Sequence, residues 1–151
     1  MADFATLDFQ RSLSAAPNTV FEALISADAR AIWGAPGDGF VVEIIDQPEA
    51  APGLREVSRV GPAGNPYVTV NTDWIVIEAP LRLVYAETLL AEGETLGVTL
   101  AIAELSATKD GTQLELHLDL TSFGGAEMMG DLQGGWTHAL DNFAKLVEAE
   151  S

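Results

Sequence analysis

Few residues in this chain have the type and spacing to do chemistry. His117 and Asp119 stand two apart in a run where Leu114, Leu116, Leu118 and Leu120 alternate with Glu115, His117 and Asp119. Residues two apart on a strand share a face, so this imidazole and carboxylate could serve as two metal ligands or as a base and the group that orients it. The same alternation sets them opposite the leucines, on the wet side of their strand. The spacing supplies no third ligand and no nucleophile. Arg59, Asp73 and Glu87 also fall in strand-like stretches. Turned inward, they would be polar anchors or acid–base groups with shifted ionisation; turned outward, they form a solvated face. His138 lies roughly 200° around a helix from Trp136, on the side of Asp141, Asn142 and Lys145. The chain has no glycine loop for phosphate, no Gly-x-Ser-x-Gly elbow and no His-Glu-x-x-His helix. The sequence therefore assigns no catalytic residue, no metal ligand and no cofactor.

Composition narrows the classes further. With no cysteine, thiol catalysis, redox switching, zinc ribbons and iron–sulfur ligation are excluded, since each needs a thiolate. A formal charge of −16, from 23 acidic against 7 basic residues, repels phosphate backbones and anionic lipid surfaces, so nucleic acid is not an expected partner. No stretch approaches the roughly 20 apolar residues that span a bilayer. The start Met1-Ala2-Asp3-Phe4 lacks the basic and apolar regions of a secretory signal, and the expected location is cytoplasmic. A hydrophobic fraction of 48% over 151 residues suits one folded domain, residues 1–151, that removes about two-thirds of its unfolded surface from water.

The elements that must position these residues follow from pattern and punctuation. A first strand, about Ala5 to Leu13, alternates Leu7, Phe9 and Leu13 with Asp8, Gln10 and Ser12. Pro17 opens a short helix that carries Val20, Phe21 and Leu24 on one side. Ser26 is suited to cap a second short helix, which ends after Trp33 at Gly34, Pro36 and Gly37. From Phe40 to Leu120 breaks at Pro48–Gly53, Gly61–Pro66, Ala79–Pro80, Glu92–Glu94 and Lys109–Gly111 mark off six strands, the last pair joined by a Lys109-Asp110-Gly111 hairpin turn. Met129, Leu132, Trp136, Leu140, Phe143 and Val147 recur every three or four residues, which predicts one long amphipathic helix from about Ala126 to Ala149. No other element is long enough to cover the dry face of such a sheet.

This α+β order, β-αα-β(six)-α, comes with four short motifs: Ala16-Pro17-Asn18-Thr19-Val20-Phe21-Glu22-Ala23-Leu24, Ile32-Trp33, Glu78-Ala79-Pro80-Leu81-Arg82-Leu83-Val84-Tyr85, and Gly134-Gly135-Trp136 with Leu140 and Phe143. Together they resemble the START-like helix-grip superfamily (SRPBCC), and within it the proteins similar to the activator of heat-shock protein 90 ATPase. The family often doubles the tryptophan at the position of Trp33, whereas here Gly34-Ala35-Pro36 follows directly. The resemblance implies a curved antiparallel sheet wrapped round the long C-terminal helix, with a cavity between them for a small hydrophobic molecule, lipid-like or polyketide-like. It also leaves room for a cyclase, dehydratase or hydrolase using the same cavity, for a co-chaperone-like regulator of a heat-shock ATPase, and for a homodimer.

On that fold the residues expected to line a cavity are Trp33, Trp74, Tyr85, Leu100, Ile102, Leu116, Leu118, Trp136, Leu140 and Phe143, although plain core packing accounts for them equally well. Gly134 and Gly135 each cost a helix interior about 1 kcal/mol relative to alanine, which points to close packing, a bend, or room beside the sheet.

Overall fold

The computed structural model describes residues 2–47 and 49–149. Ten elements follow in the expected order: β1 (Asp3–Leu13), α1 (Pro17–Ile25), α2 (Ala27–Trp33), β2 (Phe40–Asp46), β3 (Arg55–Pro62), β4 (Val68–Glu78), β5 (Arg82–Ala91), β6 (Glu94–Thr108), β7 (Gly111–Ser122) and α3 (Ala126–Ala149). The break read at Pro48–Gly53 falls between β2 and β3, with Pro48 outside the described residues. The strands form one antiparallel sheet in the order β1-β7-β6-β5-β4-β3-β2. Register shifts at Ile44/Asp46, Trp74/Val76 and Leu89/Leu90 add the local twist that curls it.

Local chemistry sets these boundaries. The Ser26 side chain accepts from the Ala29 backbone N–H at 3.3 Å and so caps α2. Glu92 and Gly93 turn β5 into β6 with φ values of 53° and 79°, the left-handed pair that a tight hairpin requires. Thr112, Leu114, Leu116, Leu118, Leu120 and Ser122 of β7 are all buried. Beneath α3 they meet Leu7, Phe9 and Leu13 of β1.

The core is densest at that end of the sheet. Val20, Phe21 and Leu24 of α1 close it together with Leu140, Phe143 and Val147 of α3, all at 3% exposure or less. Trp33 reaches the same cluster from α2, its ring edge-on to Phe143 at 5.2 Å. Its indole N–H donates to the Ala23 carbonyl at 2.8 Å, so the tryptophan is buried without an unmet donor.

Candidate functional site: a cavity between sheet and helix

Among the described residues, α3 runs close to β1, β7, α1 and α2 and makes no comparable backbone approach to β2, β3, β4 or β5. Sheet and helix therefore diverge like the two sides of a wedge. The β6 side chains facing the wedge are small, Gly97, Thr99, Ala101 and Ala103, and do not fill it. The result is a cavity of about 520 Å³, within the range that small-molecule sites occupy, roughly 300–1,000 Å³.

Val42, Val60, Val68, Val70 and Leu89 supply its sheet wall, and Leu132, Trp136 and Ala139 its helix wall. Leu132 and Trp136 are only half-buried although they belong to the apolar stripe of α3, because they look into the opening. Gly135 also lines the cavity, and a Cβ there would lie 2.9 Å from Pro36 Cβ. That glycine lets α3 meet the segment after α2. Gly134 has open space around it.

One row of the sheet wall is polar. Register places Glu56 beside Thr72, Thr72 beside Glu87 and Glu87 beside Thr99, so four inward side chains cross four strands on a face that is otherwise mostly apolar. Glu56 is 3% exposed. A buried carboxylate needs a partner, and Arg30 of α2 supplies it: both terminal guanidinium nitrogens donate to the two Glu56 oxygens, a fork geometry that favours charge-assisted bonds. The Arg30 guanidinium also lies over the Trp74 ring, 5.0 Å from its centroid.

Glu87 has no such partner: it forms no hydrogen bond or ion pair with another described residue. Burial pushes its carboxyl up to about 7, with Arg30 opposing and Glu56 reinforcing the shift. Burial likewise raises the neighbouring Tyr85 phenol and keeps it neutral. Two polar atoms here are buried without a hydrogen bond among the described residues, Arg30 Nε and Thr99 Oγ1. A smaller hollow of about 250 Å³ reaches the Arg30–Glu56 pair from the other side.

Of the residues expected from sequence to line a cavity, Trp33, Tyr85 and Trp136 do so. Trp74 is one layer back, edge-on to Tyr85 at 5.4 Å. Leu116, Leu118, Leu140 and Phe143 lie in the packed core. Leu100 and Ile102 correct the expectation, because they face away from α3. Ile102 pairs with His117 and Leu100 with Asp119, and this register with β7 turns the smaller β6 residues inward. Of the possible polar groups, Glu87 faces the cavity, whereas Arg59 lies on the outer face opposite Thr69. Asp73, also outside, is paired with Arg55 at 2.7 Å. Arg30 and Glu56 were missed.

His117 and Asp119 lie on the outer, wet face. His117 Nδ1 is 2.7 Å from Asp8 and Nε2 is 3.0 Å from Asp119. The Asp8 hydrogen bond, with Asp119 adding to it, raises the imidazole above its ordinary value. The imidazolium therefore favours the fold at low pH, and that contribution disappears as pH rises through the raised value. An NMR pH titration of the His117 ring should show the upward shift, and it should shrink in Asp8→Asn and in high salt. An ordinary value in the wild type would contradict the bonded geometry.

The model of the activator of Hsp90 ATPase homolog 1-like protein family matches residues 14–148, and the chain belongs to that family. No curated protein matches it. Among solved structures, a protein from Chromobacterium violaceum superposes with a TM-score of 0.81 at 22% identity, over 95% of this chain and 96% of its own. One from Rhizobium loti gives 0.78 at 23%, over 96% and 98%. The AHSA1 protein from Silicibacter pomeroyi gives 0.76 at 18%, over 97% and 100%. At these identities the likeness is one of fold.

Proposed function

We propose that this chain binds a small, mainly apolar molecule in the cavity between α3 and the β2–β5 half of the sheet. The observation that carries this reading is the wedge itself. A long helix leaves about 520 Å³ open over a wall of valine and leucine with one polar row, where a non-binding domain of this size would gain stability by closing the gap. Apolar walls supply the affinity of such a site, and a few polar groups fix the orientation of the guest.

Trp33 and Trp136 line the opening, so their emission should report occupancy. Titration with medium-chain alcohols, flavonoids and polyketide-like aromatics should give saturable changes with at least one member of the panel. Val70→Phe, which adds bulk to the sheet wall, should weaken that binding by about tenfold or more (about 1.4 kcal/mol) while the folded state persists. A panel without response, or a response untouched by Val70→Phe, would contradict the reading.

Proton-transfer catalysis in the same cavity is a second reading, favoured by Glu87, whose carboxyl sits at about 7 beside a fixed ion pair. A group that titrates near the working pH is suited to exchange protons with a bound substrate. Mass analysis of the incubated panel tests it: conversion should be lost in Glu87→Gln, and conversion that survives there would exclude Glu87 as the acid or base.

A further inference from the structure

We propose that the guest is a lipophilic amine, a molecule with an apolar body and a single ammonium end that docks against Glu87 on the polar row of the cavity wall. The inference rests on the cavity-binding reading and adds the chemical class of the guest.

The argument starts from the distribution of charge. Among the described residues, one cation, Arg30, and three carboxylates, Glu56, Glu87 and Asp131, line the cavity. The Arg30 fork is taken up by Glu56, which leaves the half-buried Glu87 on the polar row with no hydrogen bond or ion pair among the described residues. A carboxylate drawn partly out of water is costly unless a counter-charge meets it. Arg30 acts on it only at a distance, with its two terminal nitrogens held by Glu56.

A second observation points to the same place. Thr99 is 1% exposed, and its hydroxyl has no hydrogen-bond partner among the described residues. It stands directly across from Glu87 in the β5–β6 register. The hydroxyl, which can donate as well as accept, stands beside the carboxylate on the same row but behind the cavity surface, and neither has a hydrogen-bond partner among the described residues. An ammonium group has three donors and a positive charge, and matches the carboxylate that faces the cavity. A carboxylated guest fits poorly: it would bring a fourth negative group to a wall whose one described cation already has both terminal nitrogens on Glu56, with only the buried Arg30 Nε left as a donor. A neutral alcohol can fill the apolar space but leaves the Glu87 charge uncompensated.

The groups facing Glu87 are Arg30 from α2, Glu56 from β3, Tyr85 from its own strand and, from α3 across the cavity, Asp131. Arg30 and Glu56 largely cancel and Tyr85 is neutral, so the Glu87 proton decides the charge at the row. Bound ammonium should displace that proton.

The test uses three ligands with one ten-carbon chain and different ends: decylamine, decanol and decanoate. Each is titrated calorimetrically into the full chain at about pH 8 and about 0.15 M salt, where surface charge is screened. Decylamine should bind about tenfold or more tighter than decanol, with decanoate weakest, and in Glu87→Gln the amine-to-alcohol ratio should collapse to near one. Equal affinities, tighter decanoate, or an amine preference that survives Glu87→Gln would overturn the proposal while leaving the cavity reading intact. Failure of all three ligands, decanol included, would remove both. Should Glu87→Gln fail to fold, the wild type still decides. Near pH 7, where Glu87 is about half protonated, decylamine binding should expel roughly half a proton, read from titrations in two buffers of different ionisation enthalpy. Release of none would overturn the proposal.

Discussion

Replacing Arg30 with methionine is expected to lower the unfolding free energy by about 3–5 kcal/mol near neutral pH, a large share of the roughly 5–15 kcal/mol that holds a domain folded. The change removes the partner of Glu56, which is 3% exposed, and leaves an uncompensated carboxylate beside Glu87. It also removes the cation from the face of Trp74 and the bond from Arg30 Nη2 to the Ile25 carbonyl at 3.4 Å. One feature identifies the mechanism. The double variant Arg30→Met with Glu56→Leu should recover most of the loss, since an apolar pair can replace a buried ion pair at little cost. Urea unfolding of the three proteins measures it. A single variant as stable as the wild type would show that the pair is not buried as described.

The second large effect belongs to Glu87, and its sign is opposite to that of an ordinary carboxylate. Its carboxyl rises from 4.5 to about 7 on folding, so the native state holds the proton more tightly than the unfolded chain. Its contribution is therefore fully present below about pH 4.5 and is lost as pH rises through about 7. The full shift corresponds to an upper bound of about 3 kcal/mol. Glu87→Gln keeps a neutral group at every pH and escapes that loss. It should match the wild type within about 1 kcal/mol at low pH and exceed it by about 1–3 kcal/mol above pH 8. Parallel pH–stability curves for the two proteins would contradict the half-buried setting of Glu87 against the cavity wall.

Glu87 was legible in the sequence as a possible inward group, whereas Arg30 and Glu56 were not. Strong periodicity was read correctly where one face is dry and the other wet, as along Leu114–Leu120 and along α3, and where local chemistry acts alone, as at Ser26. It misled in β6, which carries Val98, Leu100 and Ile102 on one face and Thr99, Ala101 and Ala103 on the other. Size suggests that the first set is the core, but the second set faces the helix. The missing signal was the hairpin: with Thr108 paired to Gly111 across the turn, Ile102 must oppose His117 and share its outward direction.

Arg30 and Glu56 were hidden for a related reason. In β3 the outward row is Arg55, Val57 and Arg59 and the inward row is Glu56, Ser58 and Val60, so polarity does not separate the faces. Arg30 is one turn before Trp33 on α2 and points the same way, a spacing that could have marked it as inward. What made Glu56 an interior residue is a partner 26 positions away, a tertiary fact that no local pattern encodes. The resemblance carried the architecture well, whereas it implied nothing about the polar row within the cavity.

The claim on which the rest depends is that the space between α3 and the β2–β5 wall admits a guest. The most direct test is an amide-resolved NMR titration of the chain with decanol. Saturable shifts should concentrate on Ser58, Val70, Thr72, Leu89, Gly97 and Gly135, which line the cavity, and leave Val84, Leu100 and Ile102 on the outer face unmoved. Shifts scattered over that outer face, or none at concentrations where the alcohol stays soluble, would mean that the wedge is closed to guests.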